Sequence, residues 1–292
     1  MRFTCPPRSR LPHFRLVAVF ALALTLLLNA GSSTVLAQQT PAQPATTPAA
    51  APPADTLTIR LGTNTVTTFY PASVEYLTRA YVKLTGVDLG DDKLIDEFSE
   101  VNYCDLYTRL FKDEFTWRQA REAVRKTIQR DLESYPETFF VDGQIQLGRY
   151  NFETKAFDIE ERSKFRRTGV INVVSHSGPK CLDFAAFRTI PVNYKFRLTN
   201  PITLEFLPVS EAMAGQIARL MEEQGNKERV VNVTFFMRIN DFSNTTVRNQ
   251  SRRNDAGEAE SIANSTIRAT LLSMRIYLDE EHKAMIYEYK SR

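Results

Sequence analysis

The apolar residues of this chain change period near Pro136, and that change restricts the fold more than any other feature. Before it they recur at helical spacing; after it they alternate as strands do. Val74, Leu77, Tyr81 and Leu84 mark one helix, with Pro71 in its first turn and Gly86 as its stop. A second helical stretch is predicted over about Lys93 to Leu110. A third is predicted over about Glu114 to Tyr135, with Phe115, Val124, Ile128 and Leu132 on its apolar face and Glu122 and Lys126 at pairing distance.

A short strand at Leu57 to Leu61 precedes them. Beyond Pro136, Val192, Tyr194, Phe196 and Leu198 alternate with Asn193, Lys195 and Arg197, and Asn200-Pro201 is expected to turn the chain into Thr203 to Phe206. Val231, Val233, Phe235, Met237 and Ile239 alternate against Asn232, Thr234, Arg238 and Asn240. Ser210 is placed to cap a helix carrying Met213, Ile217, Leu220 and Met221. A terminal hairpin is predicted from Thr266 to Leu278 and Ala284 to Tyr289. The expected class is therefore α+β: a helical N-terminal half packed on a mainly antiparallel sheet, with one further helix.

The first 55 residues stand outside that pattern. Arg2, Arg8, Arg10 and Arg15 precede an apolar run from Leu16 to Leu28, followed by Val35-Leu36-Ala37. This is the layout of a secretory signal peptide over residues 1–37, cleaved near Ala37. The run is shorter than the ~20 residues of a spanning helix, so an uncleaved leader is the only route to a membrane. Residues 38–55 are almost wholly Pro, Ala, Thr and Gln, the composition of a disordered tether. The folded part is expected to be residues 56–292, helix-rich over 56–136 and strand-rich over 137–292. The protein is expected to be periplasmic or secreted.

Export changes how charge and cysteine are interpreted. Residues 1–37 hold four arginines and no acid, so the chain beyond them carries 33 basic against 34 acidic side chains. The basic pI belongs to the leader, and no nucleic-acid partner is expected. Only Cys104 and Cys181 follow the leader, in a compartment that permits disulfides. A bond between them would be worth roughly 4 kcal/mol or more by the chain-entropy argument. Two buried free thiols fit the sequence equally well.

Candidate chemistry is sparse. His176 and His282 are the histidines after the leader, and neither lies in a metal-ligand motif, so no metal and no cofactor is expected. Val87-Asp88-Leu89-Gly90-Asp91-Asp92 has the composition of a calcium loop without its ligand spacing. His176, within Ser175-His176-Ser177-Gly178, and the acids Asp113 and Glu114 beside Trp117 are the weak catalytic candidates. Arg118, Arg121 and Arg125 form a helical stripe able to hold an anion. The 25-residue segment from Asp241 to Ser265 is expected to be either a partner-recognition loop, led by Arg248, Arg252 and Arg253, or a hairpin tip.

The expectation is a non-enzymatic binding or structural module of the cell envelope, with an envelope protein or polymer as partner. The alternatives are a metal-independent hydrolase of glycan, peptide or ester, and a carrier of a small apolar ligand. An exposed charged or apolar face on the sheet would favour the binder, and a cleft with two acids of divergent pKa the enzyme.

Overall fold

The computed structural model describes residues 53–62, 65–173, 189–191, 193–253 and 259–290, with the backbone alone over 244–253 and 259–263. Residues from Ala54 onward cluster into one compact unit. The class is α+β: five α-helices and a ten-stranded mixed sheet among the described residues.

The chain opens with β1 (Leu57–Leu61) and β2 (Thr65–Pro71), an antiparallel hairpin in register from Leu57↔Phe69 to Leu61↔Thr65. Four helices follow: α1 (Val74–Thr85), α2 (Asp92–Asn102), α3 (Cys104–Leu110) and α4 (Glu114–Asp131). Gly86 ends α1 in the left-handed region at φ 60°, where a side chain would be strained. Asp91 and Asp113 cap α2 and α4 by accepting backbone N–H bonds from Lys93, and from Phe115 and Thr116.

The sheet strands are β3 (Thr138–Asn151), β4 (Ala156–Ile159), β5 (Phe165–Val173), β6 (Asn193–Leu204), β7 (Phe206–Pro208), β8 (Val230–Arg253), β9 (Ala259–Tyr277) and β10 (Met285–Lys290). Helix α5 (Glu211–Glu223) lies between β7 and β8. Their order is β1-β2-β3-β8-β9-β6-β5, with β10 also on β9 and with β4 joining β3 to β7. β2 with β3 and β6 with β9 run parallel; the other pairs are antiparallel.

One face of the sheet is dry. Leu77, Leu94, Ile95, Phe98, Val124 and Ile128 from the helices share a cluster with Phe139, Phe196, Val233, Phe235, Ile267 and Met274 from the strands. Each such side chain, removed from water, stabilises the fold by about 1.5–3 kcal/mol. No helix among the described residues is long and apolar enough to cross a membrane.

Several expectations are corrected. The first half of the described chain is not simply helical, because it begins with the β1–β2 hairpin, and Pro71 ends β2 instead of starting α1. The sheet is mixed. The second helix breaks at Tyr103 (φ −134°), and Phe115 is 83% exposed while Trp117 is buried in its stead. Asn200-Pro201 is not a turn: β6 runs through it. Asn200 donates from Nδ2 to the Leu271 carbonyl and accepts from the Leu271 N–H, both at 2.9 Å, so its side chain extends the ladder past the last β6–β9 backbone pair.

The 241–265 segment is not a loop over its described length, because β8 and β9 continue through it and pair as far as Arg253↔Ala259. Ser265 and Ser273 are buried polar groups of β9 that alternation alone does not announce.

Candidate functional site

Because side chains alternate along strands, every residue buried under the helices leaves a neighbour on the other face. At one end that second face is covered. Phe69, Phe140 and Phe236 form a small core there with Leu57, Ile59, Leu61 and Leu272, so the β1–β2 hairpin seals this part. Phe69 and Phe236 meet edge to face at 5.0 Å.

The rest of this face, on β5, β6, β9 and the adjoining stretch of β8, is open. On β6, Lys195, Arg197 and Thr199 are exposed between the buried Tyr194, Phe196 and Leu198. Register places Asn172 beside Lys195 and Val170 beside Arg197 on β5, and Arg268 of β9 on the other side of Arg197. Asp241 faces Arg268 from β8. One step along, Arg238 is opposite Thr270. Thr270 lies within 3.1 Å of the Thr199 hydroxyl and accepts a 3.0 Å bond from Asn240.

The charges on this face do not cancel. Arg268 is paired: its guanidinium donates from Nε to both Asp241 oxygens, at 3.0 and 2.8 Å. Lys195, Arg197 and Arg238 are exposed and make no ion pair or side-chain hydrogen bond among the described residues. The result is a surface with three cations that no described acid compensates, framed by hydroxyls and amides. Such a surface can hold anionic groups, each contact being weak and screened by salt.

The arginines of α4 behave differently. Arg121 holds Asp96 through two bonds of 2.7 and 2.8 Å and reaches Asp92 at 2.8 Å. The hydrogen bond with Asp96 pushes the Arg121 guanidinium further up from its already high value. Arg125 binds Asp92 at 2.7 Å, the Leu89 carbonyl at 2.7 Å and Glu122. Trp117 donates its indole N–H to Asp96 at 2.9 Å. Two of the three stripe arginines are thus occupied in fastening α4 to α2, and Arg118 stays exposed.

Asp113 is likewise engaged. It accepts from the Phe115 and Thr116 N–H groups and from the Thr116 hydroxyl at 2.6 Å, and that hydroxyl bond leads in holding its carboxyl below the usual range. A carboxylate so held is a poor proton donor. Glu114 is the exposed first residue of α4. His176 and Cys181 lie outside the described residues; Cys104 opens α3. Arg248, Arg252 and Arg253 fall on β8 where it pairs with the start of β9.

Two other features escaped the sequence. Glu97 and Glu100, on the inner side of α2, are only 5% and 6% exposed. Glu97 accepts the backbone N–H bonds of Thr189 and Ile190 at 2.9 and 2.6 Å, fastening the chain just before β6 to the helix. Nothing at the level of spacing marks this, because its partners are backbone groups about ninety positions away. The second is His282, in the β9–β10 turn at φ 60°, whose Nε2 lies 3.0 Å from Asp142 on β3. Thr234 donates to the same carboxylate at 2.7 Å.

Beside that turn is an open cleft of about 530 Å³, whose lining includes Gln144, Asn226, Asn232, Asp279, Glu280 and Glu281. Asp279 is occupied in accepting the backbone N–H groups of Lys283 and Ala284. The carboxylate does the work of a turn.

The family model described as a domain of unknown function (DUF4852) is similar to residues 91–217. That span, less than half of the chain, runs from the cap of α2 into α5 and includes Glu97, Lys195 and Arg197, but not Arg238 or Arg268. No curated protein and no solved structure matches the chain.

Proposed function

We propose that the protein is an exported, non-enzymatic binding module of the cell envelope that uses the open face of its sheet. The observation carrying this reading is the group of uncompensated cations Lys195, Arg197 and Arg238 on strands whose opposite face is anchored in the core. A rigid sheet presents side chains at fixed spacing, which suits repeated weak contacts better than chemistry on a single bond. The leader in residues 1–37 and the Pro/Ala tether over 38–55 support export and attachment at a distance.

A Cys104–Cys181 disulfide belongs to the same proposal. It would tie α3 to the segment whose far end Glu97 already holds to α2.

Native mass spectrometry of the protein purified gently from its own host tests the reading. A partner protein or envelope polymer at defined stoichiometry, on a chain beginning near Gln38, is the expected result. A bare chain that turns over an ester, peptide or glycan substrate would replace the module with an enzyme.

A further inference from the structure

We propose that the open face formed by β5, β6, β8 and β9 binds an acidic polysaccharide, a glycan chain laid across the strands with its anionic groups on Lys195, Arg197 and Arg238. This rests on the binding-module reading and names the partner's chemistry. Lys195 and Arg197 are two residues apart on one strand, so they project from the same side at about 7 Å. Arg238 stands two strands away, across Thr270. Thr270 lies on the strand between them and is bonded to Thr199 and Asn240, while Asn172 flanks Lys195 from β5; these groups both donate and accept hydrogen bonds and so suit sugar hydroxyls.

The composition of the face decides against other polyanions and partners. Single-stranded nucleic acid needs aromatic platforms for its bases, whereas the exposed phenylalanines among the described residues, Phe111, Phe115, Phe152 and Phe206, lie on other elements. A bilayer surface needs several apolar side chains to insert, and among the described residues Val170 is the exposed large apolar residue on this face. A protein interface is commonly centred on aromatic or arginine side chains that fill pockets of the partner, whereas the centre of this face is threonine and an arginine already held by Asp241. Arg268, neutralised by Asp241, keeps the next position along from becoming a like-charge cluster.

The test uses the purified full chain with polygalacturonate, which carries one carboxylate per sugar, and with dextran of similar length, which carries none. Isothermal titration at low salt is expected to show binding to polygalacturonate, weakening steeply once the Debye length falls to about 10 Å near 0.1 M salt, and none to dextran. Lys195→Gln with Arg197→Gln is expected to weaken binding roughly tenfold. Arg118→Gln, which removes an exposed arginine of α4, is expected to leave it unchanged.

Equal binding to dextran, preferential binding to single-stranded DNA or anionic vesicles, or an unaffected double variant would overturn the proposal. An envelope partner that co-purifies with the wild-type chain, when that chain binds no polygalacturonate, would overturn this site and leave the module reading standing. Because both substituted side chains are exposed, unchanged circular dichroism separates lost binding from lost fold.

Discussion

The cations of α4 and those of β6 look alike in the sequence and do opposite things in the molecule. Arg121 and Arg125 fall on one helical stripe, as Lys195 and Arg197 fall on one side of a strand. In space the first two meet Asp92, Asp96 and Glu122, while the second two meet none of the described acids. A helix packed against another helix brings its polar flank within reach of that neighbour's acids. A strand whose other face is buried projects its polar side chains into water, with only cross-strand neighbours as partners. What separates a fastening from an unpaired cationic surface is thus the element that lies opposite, and charge spacing does not encode it.

The contrast can be broken most forcefully at Asp96. Asp96→Ala removes the acceptor of both Trp117 and Arg121, each largely buried, and is expected to lower stability by about 2–3 kcal/mol, measured as a shift in the urea midpoint at unchanged slope. A loss below about 0.5 kcal/mol would mean that the α2–α4 network is no more than a solvated face.

The Asp142–His282 contact is a smaller test with a definite sign. The hydrogen bond with Asp142, first among the causes, raises the imidazole from its ordinary 6.5, burial opposes it, and the charges of Asp142 and Asp279 add to the rise. A raised value in the folded state means that the contribution is complete below 6.5 and is lost as pH climbs through the folded value. Because the pair is half open to water, the change is expected to stay under about 1 kcal/mol. Thermal midpoints should therefore fall slightly on going above neutral pH, and Asp142→Asn should flatten that fall. A midpoint that rises over the same interval would remove the contact from the account.

The smallest effect is expected where function is proposed. Lys195→Gln and Arg197→Gln should each change stability by less than about 0.5 kcal/mol, read from the same urea curves. A larger loss would show that these side chains hold the fold together, and the distinction from α4 would disappear.

Much of the fold was legible because burial imposes a period. The alternation of Val231 to Ile239, the spacing of Val74, Leu77 and Tyr81, and the stop at Gly86 all follow from one side of an element facing a core. The same logic failed where a side chain acts as backbone or a strand exceeds the core it serves. Asn200 continues a ladder that Pro201 should have ended, and β8 and β9 run on beyond their alternating apolar stretch. Phe115 misled because it stands nine residues before Val124, half a turn round α4 from the buried face, whereas Trp117, seven residues before Val124, lies on that face.

Of the site, Lys195 and Arg197 were already placed on the wet side of a strand. Their isolation from acids was not visible, since it depends on β5, β8 and β9 arriving from distant parts of the chain.

β9 also holds together parts of the sheet that lie far apart in the chain. It pairs with β8, β6 and β10, and its parallel partner β6 precedes it by about seventy positions. Until β9 is available, β8 and the β5–β6 pair have unsatisfied edges and cannot join into one sheet. Such non-local pairing makes folding slow and leaves strand edges open to association meanwhile. The cationic face is therefore a property of distant parts of the chain brought together by one strand: a chain stopped short of Thr266 would have no surface on which Lys195, Arg197 and Arg238 stand together.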